Sequence, residues 1–292
     1  MKGEEPNRWR RFMIGDFEAT IVSDGTIAFD GIAAEFPDQR EAEANRLLDP
    51  AAVAGRPGYS PLNCLVLDTG HRLLLFNAGM GASTLLGERA GRLPENLAAA
   101  GIRSEAIDAI LLTHLHCDHT CGLIDARGVP VFPNAELLLP SAEFDFCMSE
   151  PNADSPIPTD EIALARRCVA PYRARLRLIS GDAEIFEGVT PVATLGHTIG
   201  HTSYLIASAG QRALNIGDIC HHGAVQFPNP QWRFRWDDDP ELAVLSRQRI
   251  FGMAADEDLK LIGYHLPYPG LGRVRREGSG FRFAAAKCES GF

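Results

Sequence analysis

The sequence predicts a domain of the mixed α/β or α+β class, and three patterns support this. Two stretches alternate apolar and polar residues about a glycine, one around Asp24-Gly25 and one with Thr69-Gly70 near its turn, as antiparallel hairpins do. Short apolar runs typical of buried strands alternate with helical segments in both halves of the chain. Because hairpins and helices are interspersed in this way, we do not expect a simple doubly wound parallel sheet.

The first half contains further predicted elements between and after the hairpins. Gly101 is expected to close one helix, since glycine favours helix C-termini. Ser141 is expected to be the N-cap of another, with Glu143 in its first turn. In chain order, the elements are a helix over 38–50, a helix over 94–101, a buried strand over 106–114, a strand over 135–140 and a helix over 141–149.

A polar, proline-rich stretch over 150–160 separates the halves and has the composition of a linker or of a surface loop. Pieces of one site occur on both sides of it, so we predict a single domain over 1–292 with a surface insertion around 141–176. Asp239 before Pro240 predicts a capped helix start. The later elements are a helix over 160–176, strands over 189–197, 202–208 and 211–218, a helix over 237–254, and strands over 259–265 and 280–285.

The bulk composition limits the function classes. The chain has 292 residues, 45% hydrophobic and 23% charged, which is ordinary for a globular protein. Its formal charge of −10 disfavours a nucleic-acid partner. We find no run of 18 apolar residues and no apolar core of a signal peptide, so a membrane partner is not expected. The 7 scattered cysteines without a C-x-x-C pair favour reduced thiols and a cytoplasmic location.

The run His-Leu-His-Cys-Asp-His, residues 114–119, is the strongest chemical signal in the chain. His114 and His116 stand two apart at a predicted strand end, so extended backbone points both to one face. Asp118 and His119 follow where the chain turns and do not easily reach the same point. The spacing therefore suggests two neighbouring metal positions, against the alternative of a hydrogen-bonded polar loop.

Three later residues supply candidate ligands of the same kind. His197, Asp218 and His265 each come at the C-terminal end of a predicted strand, where a rigid scaffold can present them to one cleft. Taken alone, each has an ordinary interpretation: a turn residue, an aspartate before a helix, or a buried histidine. Their joint occurrence in this order supports a metal site.

The chain resembles the metallo-β-lactamase superfamily over roughly residues 62–268. The resemblance lies in the order and spacing of four motifs: the His-x-His-x-Asp-His run, the later Gly-His-Thr-x-Gly-His-Thr, Gly-Asp and a C-terminal histidine. The resemblance implies the metallo-β-lactamase fold, an αββα sandwich of two mixed β-sheets flanked by helices, with two divalent metal ions, zinc first and iron, manganese or cobalt as alternatives. It implies a first metal on His114, His116 and His197, a second on Asp118, His119 and His265, and Asp218 as the bridge.

Several longer segments, among them GDFEATIVSDGTIAFD and VFPNAELLLPSAEFDF, are similar to the methyl parathion hydrolase and lactonase-like branch. That branch implies an apolar pocket, a small-molecule substrate and a possible homodimer. One position departs from the superfamily, whose usual Asp-Thr-Gly is Asn77-Ala78-Gly79 here. The usual aspartate orients a ligand histidine, so the neutral Asn77 is expected to weaken metal retention or to shift metal preference.

We therefore predict a hydrolase in which a hydroxide bridging two metals attacks an ester, lactone or organophosphate triester. Asp118 and Asp218 are the predicted catalytic residues, with Asp118 passing a proton to the leaving group. One alternative is an oxidoreductase like the mononuclear iron persulfide dioxygenases, against which the complete second site argues. The others are a nuclease, disfavoured by the charge, and a non-catalytic metal-binding relative.

Some residues near these motifs keep two interpretations. His201 is expected to support the ligands and not to bind metal. His221 and His222 either line the site or lie exposed. Cys117 and Cys121 are expected to pack. The aromatic segment 227–236 predicts a pocket wall or a dimer contact, and residues 237–239 are interpreted as charges at a helix N-terminus.

Overall fold

The computed structural model describes residues 8–28, 32–36, 59–149 and 159–286. The predicted helix over 38–50 and most of the predicted loop over 150–160 lie outside these ranges. The strands are β1 Trp9–Ile14, β2 Phe17–Ala28, β3 Tyr59–Asp68, β4 Leu73–Phe76, β5 Ala109–Leu111, β6 Glu136–Pro140, β7 Leu176–Ile179, β8 Val189–Ala193, β9 Thr202–Ser208, β10 Gln211–Asn215, β11 Lys260–Ile262, β12 Leu271–Glu277 and β13 Gly280–Ala285.

The strands form two mixed sheets, in agreement with the predicted class. The first sheet has the order β1-β2-β3-β4-β5-β6-β7, and the second has the order β13-β12-β11-β10-β9-β8. In the first, β1 to β4 pair antiparallel and β4 to β7 pair parallel. In the second, only the pairing of β10 with β11 is parallel. The helices are α1 Ile32–Glu35, α2 Leu93–Ala99, α3 Cys117–Thr120, α4 Ser141–Met148, α5 Thr159–Val169, α6 Gly223–Gln226 and α7 Pro240–Asp256.

The buried side chains define the layers. A central core lies between the sheets, where Phe76 of β4 meets Tyr204 of β9 with ring centroids 5.3 Å apart. A second core joins the outer face of the first sheet to α2, α4 and α5, and a third joins the second sheet to α7. Each buried aliphatic or aromatic side chain contributes roughly 1.5–3 kcal/mol to folding. The result is the expected αββα sandwich.

The first predicted hairpin is misplaced in the sequence interpretation. The turn between β1 and β2 lies at residues 15–16, and β2 continues through Asp24 to Ala28 with a bulge before Gly25. The Asp24 carboxylate is buried and accepts hydrogen bonds from the backbone N–H groups of Met80 and Leu93. The Asp-Gly pair therefore forms a bulge within β2 and does not reverse the chain. The second hairpin, β3 to β4 around Thr69-Gly70, is confirmed.

The helix signals are correct at two of three positions. Asp239 caps α7 by accepting a hydrogen bond from Leu242 N at 3.0 Å, and Gly101 follows α2 with φ of 80°. Ser141 is not an N-cap, because β6 leads directly into α4 and Ser141 is already its first helical residue. The described parts of 141–176 form α4, α5 and a 3-10 turn, which bury side chains in the second core, on the outer face of the first sheet. Within the described residues, we find no helix long and apolar enough to cross a bilayer.

Candidate metal centre

The candidate ligands follow strand ends at one edge of the sandwich, as the sequence predicted. His114 and His116 come after β5, which ends at Leu111 in the first sheet. In the second sheet, His197 follows β8, Asp218 follows β10 and His265 follows β11. Because both sheets place loops at this edge, residues far apart in sequence meet in one cleft.

The side chains form two neighbouring groups of donors. Within each group, one ligand atom per residue lies within 4.8 Å of the others. The first cluster comprises His114, His116, His197 and Asp218. The second cluster comprises Asp118, His119 and His265. The structure thus places His114 and His116 in one group and Asp118 and His119 in the other, as the spacing of residues 114–119 suggested.

Asp218 stands between the two clusters. Its Oδ2 lies 3.3 Å from His197 Nε2 and 3.7 Å from His114 Nε2 in the first cluster. Toward the second cluster, the same oxygen lies 3.1 Å from His265 Nε2, and Oδ1 lies 3.2 Å from His119 Nε2. A single carboxylate therefore faces both donor groups at once.

The donors fit a metal site by their unsatisfied atoms. The contact between His119 Nε2 and Asp218 Oδ1 is close but is not aligned as a hydrogen bond. These two atoms and His114 Nε2 are buried without a hydrogen-bond partner among the described residues. Buried polar atoms are nearly always paired, so a cluster of unpaired ones facing each other points to a shared ligand. Imidazole nitrogen and carboxylate oxygen are donors that zinc accepts.

The electrostatics at His114, His116 and Asp218 favour the protonation states that bind metal, whereas nearby carboxylates raise the pKa of His197 and of His265 despite their burial. Burial and the neighbouring His119 lower the pKa of His114 well below its usual value, and burial and His197 lower the pKa of His116 in the same way. Burial acts to raise the pKa of Asp218, but the histidines around it hold that pKa well below the usual value. At these three residues the pKa shifts favour neutral imidazole and ionised carboxylate, the forms that bind metal.

Asp237 has a role at the centre that the sequence interpretation missed. It was interpreted as a helix-terminal charge, but it is buried, and its Oδ1 accepts a hydrogen bond from His197 Nδ1 at 3.0 Å. Its Oδ2 pairs at 3.2 Å with the buried Arg247. Burial alone would lower the pKa of His197, but the bonds to Asp218 and Asp237 raise it to about 10. Pro240 identifies Asp239 as the cap, but no feature of the sequence identifies Asp237 as a partner of His197.

The second cluster is supported by other groups. His265 Nδ1 lies 3.0 Å from both the Pro61 carbonyl oxygen and Ser60 Oγ. Since a carbonyl only accepts, Nδ1 carries a proton, and Nε2 faces the Asp218 carboxylate at 3.1 Å. The His119 ring stacks on Tyr264 at 4.0 Å between centroids. Tyr264 also donates its hydroxyl to the Asp118 carbonyl at 2.7 Å.

Asn77 acts on the centre through Thr113. Its Oδ1 accepts from Thr113 N at 3.0 Å and from Thr113 Oγ1 at 3.2 Å. With its proton given to Asn77, the Thr113 hydroxyl accepts from His114 Nδ1 at 3.0 Å, which leaves His114 Nε2 free. Asn77 thus sets the tautomer of a candidate ligand indirectly. Its φ of 61° is one that asparagine tolerates.

The remaining candidates separate into supporting and packing residues. His201 lies outside both clusters; its Nε2 accepts from Asp218 N at 3.0 Å, as expected of a supporting residue. Cys117 and Cys121 are buried in the second core, on the outer face of the first sheet, and belong to neither cluster. His222 lines the cavity above the clusters.

His221 lies closer to the clusters than the sequence could indicate. Its Nε2 is 3.2 Å from Asp218 Oδ2, and with His265 these residues form a further group of possible donors. Its ring stacks on Phe234 at 3.9 Å between centroids. The sequence signal for His221 was its position three residues after Asp218, but this spacing is too common in loops to assign a residue to a site.

A cavity of about 300 Å³ opens above both clusters. Part of the aromatic segment 227–236, namely Phe234 and Trp236, forms the wall of this cavity, which was one of the two predictions for the segment. Phe227 and Trp232 are instead buried, the former stacked on Phe251. The apolar residues that line the cavity include Ile27, Phe36, Leu86, Phe234 and Trp236.

Comparison with curated proteins finds lactonases among the relatives. An N-acyl homoserine lactonase of Bacillus thuringiensis is 24% identical over 222 residues, which are 70% of this chain and 80% of that protein. An N-acyl homoserine lactonase of a Bacillus species is 26% identical over 163 residues, 50% of this chain, so the match spans only 58% of that relative's length.

Solved structures give matches over nearly the whole chain. AidC, a dizinc quorum-quenching lactonase in complex with the product N-hexanoyl-L-homoserine, superposes with a TM-score of 0.90 at 26% identity over 97% of this chain and 98% of AidC. The hydrolase AbOPH of the beta-lactamase superfamily gives 0.89 at 28% identity over 98% and 100%. A sequence profile of the Metallo-beta-lactamase superfamily matches residues 58–265, a span that contains every residue of both clusters. This chain belongs to the metallo-beta-lactamase superfamily, as its histidine run predicted.

Proposed function

We propose that this chain is a binuclear metallo-hydrolase that opens lactones, with esters and organophosphate triesters as related substrates. The observation that carries the proposal is the pair of donor clusters sharing Asp218 at the floor of one apolar cavity. Membership of the superfamily supports hydrolysis, and the lactonases among the similar proteins support the lactone as the first choice.

In this proposal, His114, His116 and His197 would hold one divalent ion, Asp118, His119 and His265 would hold another, and Asp218 would serve both. Imidazole and carboxylate donors suit zinc, and iron, manganese and cobalt are compatible. The dizinc content of AidC supports zinc. Two such ions would supply Lewis acidity and a water whose pKa is lowered to about 7.

The chain's own groups provide the proton transfer. Asp118 lines the cavity, and its Oδ2 lies 3.4 Å from His265 Nε2 and 3.6 Å from His119 Nε2. We assign to the Asp118 carboxylate the transfer of a proton from the attacking water to the ring oxygen of the lactone. The water adds to the carbonyl carbon, the bond to the ring oxygen breaks, and the product is a hydroxy acid.

The cavity favours an uncharged substrate. Its described lining contains no lysine or arginine, while Glu35 and Glu161 add carboxylates beside the candidate ligands. An anionic substrate would find no counter-charge from these residues, and its desolvation would be unfavourable. The apolar wall around Phe36 and Phe234 supports a hydrocarbon substituent on the substrate.

Elemental analysis combined with a substrate panel tests the proposal. The panel contains lactones with and without an N-acyl chain, an aryl ester, a phosphotriester and a β-lactam. We expect two equivalents of a zinc-like metal per chain and the highest kcat/KM with a lactone. His116→Ala should abolish hydrolysis, whereas His71→Ala, a matched change at an exposed histidine, should leave it intact.

Other results would favour the alternatives. One iron per chain with oxygen consumption on a persulfide substrate would indicate a dioxygenase. A stable protein that binds no metal and hydrolyses nothing in the panel would indicate a non-catalytic relative. The second cluster, complete with Asp118, His119 and His265, argues against a mononuclear enzyme.

A further inference from the structure

The carboxylate of Glu143 lies beneath the first cluster without touching any candidate ligand side chain in the contacts described. It belongs to α4, outside the superfamily motifs, and only 3% of the residue is exposed. We propose that Glu143 is a positioning residue for the metal centre, joining the loop of His114 and His116 to the loop of His197. This inference rests on the proposed metal centre but concerns the residue that holds its loops together.

Three hydrogen bonds end on this one side chain. Glu143 Oε2 accepts from Leu115 N at 3.2 Å, the amide between the two candidate ligands of the first loop. Glu143 Oε1 accepts from Thr198 Oγ1 at 2.5 Å and from Gly200 N at 2.7 Å, in the loop that carries His197. The carboxylate therefore bridges two loops that come from different sheets.

The close fit of Gly200 shows that the approach is specific. A Cβ atom at position 200 would lie 2.8 Å from Glu143 N and 2.9 Å from Glu143 Cγ, distances that real Cβ atoms do not show. Any other residue there would push α4 away from the loop. The glycine and the carboxylate thus form one matched contact between α4 and the His197 loop.

The bond pattern explains why a carboxylate is needed. All three donors are N–H or O–H groups, and an ionised carboxylate only accepts, so each bond can form at once. A glutamine would place an NH₂ group against at least one of these donors, which cannot then be satisfied. Bonds from a charged acceptor are also the stronger kind. Loss of the carboxylate should let the two loops separate and spread the imidazoles of the first cluster.

Amide hydrogen exchange and metal affinity, measured on the full-length protein, test the inference. In metal-free Glu143→Ala, exchange should rise at Leu115 and Gly200 together. In zinc competition with a chelator, the same variant should lose affinity by about 10- to 100-fold, the range found for outer partners of ligands. Glu143→Gln should fall between this variant and wild type.

A matched variant on the same helix provides the control. Asp145→Ala removes an exposed carboxylate of α4 and should change neither exchange in the two loops nor metal affinity. The d–d absorption bands of cobalt(II) should also shift in Glu143→Ala but not in Asp145→Ala. If exchange at Leu115 and Gly200 is unchanged in a folded Glu143→Ala, the inference is wrong. If the wild-type protein binds no metal, but exchange at Leu115 and Gly200 still rises in Glu143→Ala, the proposed function is wrong and the loop contact stands.

Discussion

The two donor clusters lie on either side of Asp218, but His197 of the first and His265 of the second are held by neighbours of different charge. In the first cluster, His197 Nδ1 donates to the carboxylate of Asp237, which is itself paired with Arg247. In the second, the corresponding nitrogen of His265 faces the neutral Pro61 carbonyl and the Ser60 hydroxyl. A hydrogen bond to an anionic acceptor makes an imidazole more basic, and so a stronger metal ligand, than a hydrogen bond to a neutral acceptor does. The first cluster should therefore bind its metal more tightly than the second.

The largest effect should come from the group that both clusters share. Asp218→Ala removes the carboxylate that lies within 3.7 Å of a nitrogen in each cluster and leaves those histidines without their common anion. Both positions should lose affinity by more than about 100-fold, beyond the range of outer partners, and hydrolysis should fall below detection. Metal content by mass spectrometry and lactone turnover measure this, with circular dichroism confirming the fold. Retention of two metals would refute the shared role.

A smaller effect, limited to the first cluster, is expected from Asp237→Asn. The amide oxygen can still accept from His197, but its negative charge is gone, so affinity at the tighter position should drop by about 10- to 100-fold. The variant also leaves the buried Arg247 without its anion, which costs stability of about 3–5 kcal/mol. Stepwise chelator titration of the zinc protein would separate the two positions.

Asp239→Asn is the matched control for this change. Asp239 caps α7, and asparagine is an equally good cap, so neither metal position should respond. If Asp237→Asn weakens the second position more than the first, the comparison between the clusters is reversed.

The sequence predicted the contents of the clusters better than their supports. His114 and His116 could be located from their spacing at a strand end, and His197 from its place in the order of the superfamily pattern. Asp237 contacts His197, which is 40 residues away in the sequence, and Glu143 contacts Gly200, which is 57 residues away. No local period encodes such contacts.

The fold shows the same contrast. The mixed class follows from strand and helix periodicity and the αββα layers from the superfamily resemblance, whereas the bulge at Asp24-Gly25 follows from neither. That pair has the composition of a hairpin turn, but the buried Asp24 carboxylate binds the backbone of Met80 and Leu93 instead. Tertiary hydrogen bonds thus override a local turn preference.

The second cluster should respond only weakly to loss of one neutral partner. Ser60→Ala removes the hydroxyl near His265 Nδ1 but leaves the Pro61 carbonyl to fix the tautomer. Affinity at the weaker position should fall by less than about tenfold, below the range for outer partners, with the tighter position unchanged. The chelator titration provides the measurement. A loss as large as that in Asp237→Asn would mean that the charge of the partner is not what distinguishes the clusters.

The smallest effect is expected at Asn77, because it reaches His114 only through Thr113. Asn77→Asp keeps an acceptor for the Thr113 hydroxyl and adds a charge, so His114 should become a better donor and the first metal should bind a few-fold more tightly. The new oxygen would replace a buried Nδ2 that has no partner among the described residues, so the free energy of unfolding of the metal-free protein should fall by about 1–3 kcal/mol.

A double-mutant cycle with Thr113→Val isolates this path. Valine lacks the hydroxyl that connects Asn77 to His114, so the gain in zinc affinity from Asn77→Asp should disappear in that background. An unchanged affinity in the single variant would show that the asparagine has no effect on metal retention. A gain that persists without the hydroxyl would show that the charge at position 77 acts on the first cluster through space and not through the hydrogen-bonded chain.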